Sequence, residues 1–221
     1  MQLIYLIINY LLKAVKHLHH SGIARLHGIN ISYKPGHWAI GADDLIVLEK
    51  EILRFLQKKH VNILEFGCGT STIAIISILE KKFKSYELTS IEASDEWIKK
   101  IDNIIKSNFP NATNHVQILK CAYSNTTKNF DLDTLRPLIQ NSYNLILVDA
   151  PPDINGENIR LQLCERVLPL LNDKGILILH DTNRIEEMYA YISISKKFSY
   201  SNIYETEKGI SVMRYPIRKL S

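Results

Sequence analysis

Four places in the chain carry side chains whose type and spacing could do chemistry. The first is Glu65-Phe66-Gly67-Cys68-Gly69-Thr70-Ser71, an acid followed by a glycine turn. Glycine at such a turn takes backbone angles closed to other residues and lets a ligand come close to the main chain, so a ligand edge is expected over Gly67, Cys68 and Gly69. The second is Glu92-Ala93. A carboxylate accepts hydrogen bonds and donates none, which suits the two hydroxyls of a ribose. The third and fourth are Asp149 and His180-Asp181-Thr182. These groups could take a proton from a hydroxyl, orient a substrate, or offer oxygen ligands to a hard cation such as Mg²⁺ or Ca²⁺. Plainer roles are open to each. Glu92 could be a helix-start acid favoured by the dipole, His180 a strand-end histidine bonded to backbone, and Asp181-Thr182 a helix cap.

Each place lies where an apolar run stops. Val61–Phe66 reads as a buried strand before the glycine turn, and Thr72–Leu79 as the helix after it, with Thr70 or Ser71 as its N-cap. Leu88–Glu92 is a second strand ending on its carboxylate, followed by a helix over Ser94–Ser107 capped by Ser94 or Asp95. Val116–Ala122 is a third strand after a Pro110-Asn111 turn, and a short helix is expected near Asp133–Gln140. The fourth strand, Tyr143–Asp149, is almost wholly apolar and precedes Ala150-Pro151-Pro152. A helix over Asn158–Leu171 then leads through Asn172-Asp173-Lys174-Gly175 into a fifth strand, Gly175–Leu179. After a helix over Arg184–Lys197, Phe198–Glu205 and Ile210–Tyr215 form a terminal hairpin around Lys208-Gly209. Ahead of the first strand, Asp43-Asp44 caps a helix over Leu45–Lys58. Strands alternating with helices predict a parallel sheet, and the acids collect at the carboxyl ends of its strands, where open α/β sheets bind ligands.

The glycine turn discriminates between nucleotide folds. A phosphate loop needs a lysine after its last glycine, and none follows here. A dinucleotide fingerprint needs a third glycine where Thr72 stands. The E-x-G-x-G pattern of Glu65, Gly67 and Gly69 instead resembles the first motif of class I S-adenosylmethionine-dependent methyltransferases, and Glu92 matches their second. The resemblance covers Asp43 to Tyr215. It implies a Rossmann-like α/β fold with a seven-stranded sheet in the order 3-2-1-4-5-7-6, strand 7 antiparallel, and helices on both faces. It also implies S-adenosylmethionine as cofactor, bound by Glu65, Gly67, Cys68, Gly69, Thr70, Ser71, Glu92, Ala93, Cys121, Ala122 and Asp149. Many members carry an acid near the adenine where Cys121-Ala122 stands, so a backbone amide or Ser124 would supply that contact. Metal-dependent O-methyltransferases hold Mg²⁺ with an Asp after strand four and Asp-Asn after strand five. Asp149 and Asp181 match that pattern, and Thr182 replaces the Asn. Base and amine methyltransferases carry N-P-P-Y or D-P-P-Y after strand four. Here the run is Ala150-Pro151-Pro152-Asp153, without the aromatic platform.

Composition narrows the class. The chain has 221 residues, 46% hydrophobic and 23% charged, with a net charge of +4, values ordinary for a globular domain. Its 27 basic residues are scattered in short pairs, which does not favour a nucleic-acid partner. Three well-separated cysteines, Cys68, Cys121 and Cys164, show neither zinc spacing nor a disulfide framework, so a reducing, cytoplasmic setting is expected. Residues 1–42 read as an N-terminal unit. Met1–Leu12 is strongly apolar yet shorter than the roughly 20 residues that span a bilayer. It predicts a helix packed on the domain, on a second copy as a homodimer, or on a membrane surface, with Lys13, Lys16, His17, His19 and His20 as a basic collar. Ser21–Ala42, rich in glycine and holding Trp38, is a connector or a lid.

These readings converge on residues 43–221 as a methyltransferase domain. The expected reaction is O-methylation of a small-molecule or glycan hydroxyl, with Asp149, His180 and Asp181 as catalytic candidates and Asp149, Asp181 and Thr182 as a candidate Mg²⁺ site. An NAD(P)-dependent oxidoreductase and a non-catalytic cofactor-binding or membrane-associated module are the rivals. The terminal hairpin opposes the first of these, because a plain dinucleotide fold lacks it.

Overall fold

The computed structural model describes residues 40–124, 126–135, 142–150 and 158–217. The N-terminal expectations for Met1–Leu12, the histidine cluster and Trp38 lie outside these residues, as do Pro151, Pro152 and the second half of the helix expected near Asp133–Gln140. Among the described residues no helix is long and apolar enough to cross a membrane.

In chain order the elements are α1 (Ala42–Leu53), β1 (Val61–Phe66), α2 (Thr70–Lys82), β2 (Tyr86–Glu92), α3 (Asp95–Asn108), β3 (Val116–Lys120), α4 (Leu132–Leu135), β4 (Tyr143–Val148), α5 (Ile159–Val167), β5 (Leu171–His180), α6 (Ile185–Ser195), β6 (Phe198–Tyr204) and β7 (Ile210–Pro216). They form one seven-stranded sheet in the order β3-β2-β1-β4-β5-β7-β6. The first five strands pair in parallel, and β7 runs antiparallel between β5 and β6. This is the expected order and edge.

Strand pleating sorts the core into two faces, because successive side chains point to opposite sides. Val61 and Ile63 of β1, with Leu145 and Leu147 of β4, pack with α1, α2 and α3 on one face. Leu64 and Phe66, with Ile146 and Val148, pack with α4, α5 and α6 on the other. β4 is buried along its whole length, which is why it reads as an unbroken apolar run and not as an alternation. Helix α2 is buried from Thr70 to Leu79 because α1 packs across it.

Several boundaries differ from expectation by a few residues; β2 starts at Tyr86 and β3 ends at Lys120, and the larger differences are these. β5 starts four residues early, at Leu171. That side chain is fully buried opposite Tyr143, and the turn chemistry of Asn172, whose Oδ1 accepts from Lys174 N, sits inside a strand irregularity. α5 ends at Val167, and Leu168–Leu170 forms a 3₁₀ turn around Pro169, a residue that cannot continue the α-helical ladder. α1 begins at Ala42, where Asp44 turns back to accept from the Gly41 amide, and ends at Leu53.

Candidate active site

The parallel strands β1, β2, β4 and β5 end on one edge, so the turns that follow them meet there. At Gly67 the φ angle is +100°, and a Cβ would lie 2.9 Å from the Ala150 Cβ, so both the turn and the approach of the β4 end require glycine. Gly69 differs. Its φ of −179° is open to any residue, and a Cβ there would meet no atom within 4 Å. The space over Gly69 is therefore open to a ligand, as the E-x-G-x-G reading expects.

Two acids, Glu65 of β1 and Glu92 of β2, brace this turn. Glu65 is fully buried. Its Oε1 accepts from Ser71 Oγ at 2.5 Å, and its Oε2 from Thr72 Oγ1 at 2.6 Å and Ser90 Oγ at 2.7 Å. Burial raises its pKa to about 7, against the lowering effect of those three hydroxyls. Neither Thr70 nor Ser71 caps α2: the helix starts at Thr70, Gly69 is the cap position, and Thr72 Oγ1 accepts the Gly69 N–H at 2.8 Å. The Ser71 hydroxyl is spent on Glu65 instead. Glu92 takes three backbone amides, from Cys68 on one oxygen and from Ala93 and Ser94 on the other. A carboxylate has about four acceptor positions, so capacity for a ligand hydroxyl remains. Open space over Gly69 with Glu92 beside the turn fits a nucleoside-bearing cofactor.

Cys121, another expected cofactor residue, turns its side chain inward. It is buried against the α4 face, with Sγ 3.4 Å from the Asp131 carbonyl, while its amide donates to the Glu92 carbonyl. Ala122 is exposed beside it, next to Tyr123, whose ring lies 4.8 Å from Phe130.

The ends of β4 and β5 hold the charged half of the edge. His180 is fully buried. Its Nδ1 donates to Asp149 Oδ1 at 2.6 Å and lies 3.7 Å from Asp181 Oδ1, and its Nε2 lies 3.4 Å from Asp44 Oδ2 without a hydrogen bond. Burial opposes charge on the ring, but Asp149 first, then Asp44 and Asp181, outweigh it and raise its pKa to about 9. Asp149 and Asp44 shift the other way. Burial would raise each of them, but His180 overrides it and holds both below the usual carboxylate range. His180 is thus an imidazolium at neutral pH, with no lone pair to take a proton. Asp149 keeps an oxygen not given to the ring, on a side chain 16% exposed at the edge.

Two residues here were missed in the sequence. Asp44, legible as a helix cap, also faces His180 and accepts from Thr206 Oγ1. Arg160, on the first turn of α5, is 2% exposed. It donates to the His180 carbonyl at 2.7 Å, to the Asp149 carbonyl at 2.9 Å and to Asp181 Oδ2 at 3.3 Å, and its Nε lies 3.4 Å from Glu187 Oε1. A signal existed: Arg160 shares the helical stripe of Leu163, Cys164 and Val167, and a cation at a helix start opposes the dipole.

Donor atoms of Asp149, His180 and Asp181 lie within 4.8 Å of one another, yet the set does not fit Mg²⁺. Asp181 Oδ2 is taken by Arg160 and by Arg184 at 3.1 Å, and Asp149 Oδ1 and the His180 Nδ1 are taken by each other. Thr182, expected as a third ligand, has a buried hydroxyl with no partner, while its amide donates to the Gly209 carbonyl.

The parallel sheet with its β6–β7 hairpin and the nucleoside-compatible turn define the class I methyltransferase arrangement. The sequence model described as "Methyltransferase domain" matches residues 64–182, more than half of the chain, and the chain belongs to that family. No curated protein matches it. Among solved structures it is similar to an O-methyltransferase from Bacillus cereus in complex with SAH (14% identity, TM-score 0.61, covering 90% of each chain). It is also similar to the SAH-bound Podospora anserina methyltransferase PaMTH1 (18%, TM-score 0.56, 75% of this chain and 76% of that one). A Geobacter sulfurreducens methyltransferase is a third (15%, TM-score 0.57, 90% and 87%). At these identities the likeness is one of fold.

Proposed function

We propose that the protein binds S-adenosylmethionine and methylates a hydroxyl of a small-molecule or glycan acceptor. The observation that carries this is the placement of Asp149, with one oxygen on His180, a side chain 16% exposed, and a backbone that lies against Gly67 of the glycine turn. Bound S-adenosylmethionine would supply a methyl group already activated on a sulfonium. The chain's own part is placement. Gly67 lets the β4 end close on the turn, and Gly69 admits the cofactor to the main chain. Glu92 accepts the ribose hydroxyls. Glu65 keeps the turn in shape, and Ala93 and Ala122 flank it. Asp149 accepts the hydrogen bond of the incoming hydroxyl, sets its line of attack and would take its proton as the oxygen is methylated, passing it on to solvent, while His180 fixes the Asp149 carboxylate as a hydrogen-bond donor. Asp181, tied to Arg160 and Arg184, anchors the β5 end. The SAH complex of the Bacillus cereus O-methyltransferase supports both cofactor and reaction type. The scattered charge suits a small polar acceptor better than a nucleic acid. Three free, buried cysteines accord with a cytoplasmic setting, and Met1–Leu12 has the composition to reach a second copy or a membrane surface.

The test is calorimetric titration with S-adenosylhomocysteine, with NADH as control, on the wild type and Gly67→Arg. Binding of the first ligand alone, lost in the variant, is the expected result. No binding by folded wild type overturns the reading. An acceptor screen over hydroxylated compounds then follows, with Asp149→Asn expected to lower turnover at least tenfold while leaving cofactor affinity within twofold.

A further inference from the structure

The pair Asp149 and Asp181 occupies the strand ends where a divalent cation would be looked for, and a buried guanidinium is already there. We propose that Arg160 is the built-in counter-cation of this edge, taking the place of a divalent metal, so that the protein binds no metal at these carboxylates. Arg160 bonds both strand ends at once, through the carbonyls of Asp149 and His180, and reaches the carboxylate of Asp181. One planar group therefore fixes the spacing of β4 and β5, a task for which the rigid fork of arginine is suited. Arg184 adds a second guanidinium on Asp181, and Glu187 closes the set behind Arg160 at 3.4 Å from its Nε. A divalent ion entering here would meet Arg160 and Arg184 within contact distance of its own ligand, and would have to displace a side chain that is 2% exposed. The inference goes beyond methyl transfer, because metal binding is read without acceptor or turnover.

The test uses the full chain and Mn²⁺ as the probe, followed by the electron paramagnetic resonance signal of the free aquo ion, with Mg²⁺ as competitor. Wild type is expected to leave that signal unchanged into the millimolar range. Arg160→Gln, which removes the charge and keeps a polar fork, is expected to bind Mn²⁺ at least tenfold more tightly than wild type, and Arg160→Gln/Asp181→Asn to lose the gain. Stoichiometric Mn²⁺ binding by wild type that Asp181→Asn abolishes overturns the proposal. So does a folded Arg160→Gln protein that binds no more Mn²⁺ than wild type. If Arg160→Gln does not fold, the wild-type titration decides alone. Failure here leaves the methyltransferase reading standing, since that rests on cofactor binding.

Discussion

The two halves of the ligand edge solve the same problem by different means. At the ends of β1 and β2, the acids Glu65 and Glu92 are held by neutral dipoles: three hydroxyls on one, three backbone amides on the other. At the ends of β4 and β5, Asp149 and Asp181 are held by formal charges on His180, Arg160 and Arg184. Dipoles fixed by the local backbone hold a turn in shape and leave its outer surface free. Charges brought from α5 and α6 tie separate elements together, and removing one leaves the others buried and unbalanced. The first half is a local construction and the second a long-range one.

The largest effect is therefore expected in the charged half. Arg160→Met strands Asp149, Asp181 and Glu187 without their shared cation, and breaking a buried pair from one side costs about 3–5 kcal/mol. Urea unfolding should show a midpoint well below wild type. A loss under about 1 kcal/mol would mean that Arg184 and His180 carry the balance without it.

The neutral half should answer to pH. Glu65 has a folded pKa of about 7 against an ordinary 4.5. A raised carboxyl binds its proton more tightly folded than unfolded. Its stabilising share is therefore complete below pH 4.5 and is lost as pH rises through 7, about 3 kcal/mol in all. Glu65→Gln cannot ionise, so its stability should fall less than that of wild type between those two pH values. Parallel pH profiles for the two proteins would show that the hydroxyls of Ser71, Thr72 and Ser90 hold Glu65 ionised throughout.

The two glycines sharpen the contrast within one turn. Gly67→Ala forces a Cβ into a left-handed backbone position against Ala150, at a cost of about 2–3 kcal/mol. Gly69→Ala should stay within about 1 kcal/mol of wild type, the cost of alanine at a cap. Its methyl enters the open space, so S-adenosylhomocysteine affinity should fall at least fivefold. Unchanged affinity would move the cofactor away from Gly69.

What the sequence disclosed follows the same division. The glycine turn and Glu92 were legible because each is a local pattern: an apolar run, an acid, a turn residue. The strand order is long-range and came only with the family that those motifs resemble. The β6–β7 edge was legible because an antiparallel hairpin needs only a short turn at Gly209. Arg160 and Asp44 were not, since what matters in each is a partner far along the chain. Asp44 was read through its local role, which is real, and its second role beside His180 depends on where α1 packs. The same holds for His180. Its type marked it as a candidate base, but three carboxylates gathered from α1, β4 and β5 decide its charge. The β5 start and the α5 end were missed by a turn-like Asn172 inside a strand and by a proline left inside a helical pattern.

The smallest expected effect tests the metal question from another side. Thr182 has a buried hydroxyl with no partner, a position that costs stability instead of adding to it. Thr182→Val removes that hydroxyl while keeping its shape, so stability should be unchanged or higher by up to about 1 kcal/mol. S-adenosylhomocysteine affinity should stay within twofold. A Thr182 hydroxyl that served a bound cation would behave otherwise, since its loss would weaken Mn²⁺ uptake by the Arg160→Gln protein as strongly as Asp181→Asn does. If the double variant Arg160→Gln/Thr182→Val keeps the full Mn²⁺ affinity of Arg160→Gln, the orphaned hydroxyl belongs to the packing beneath the β7 turn.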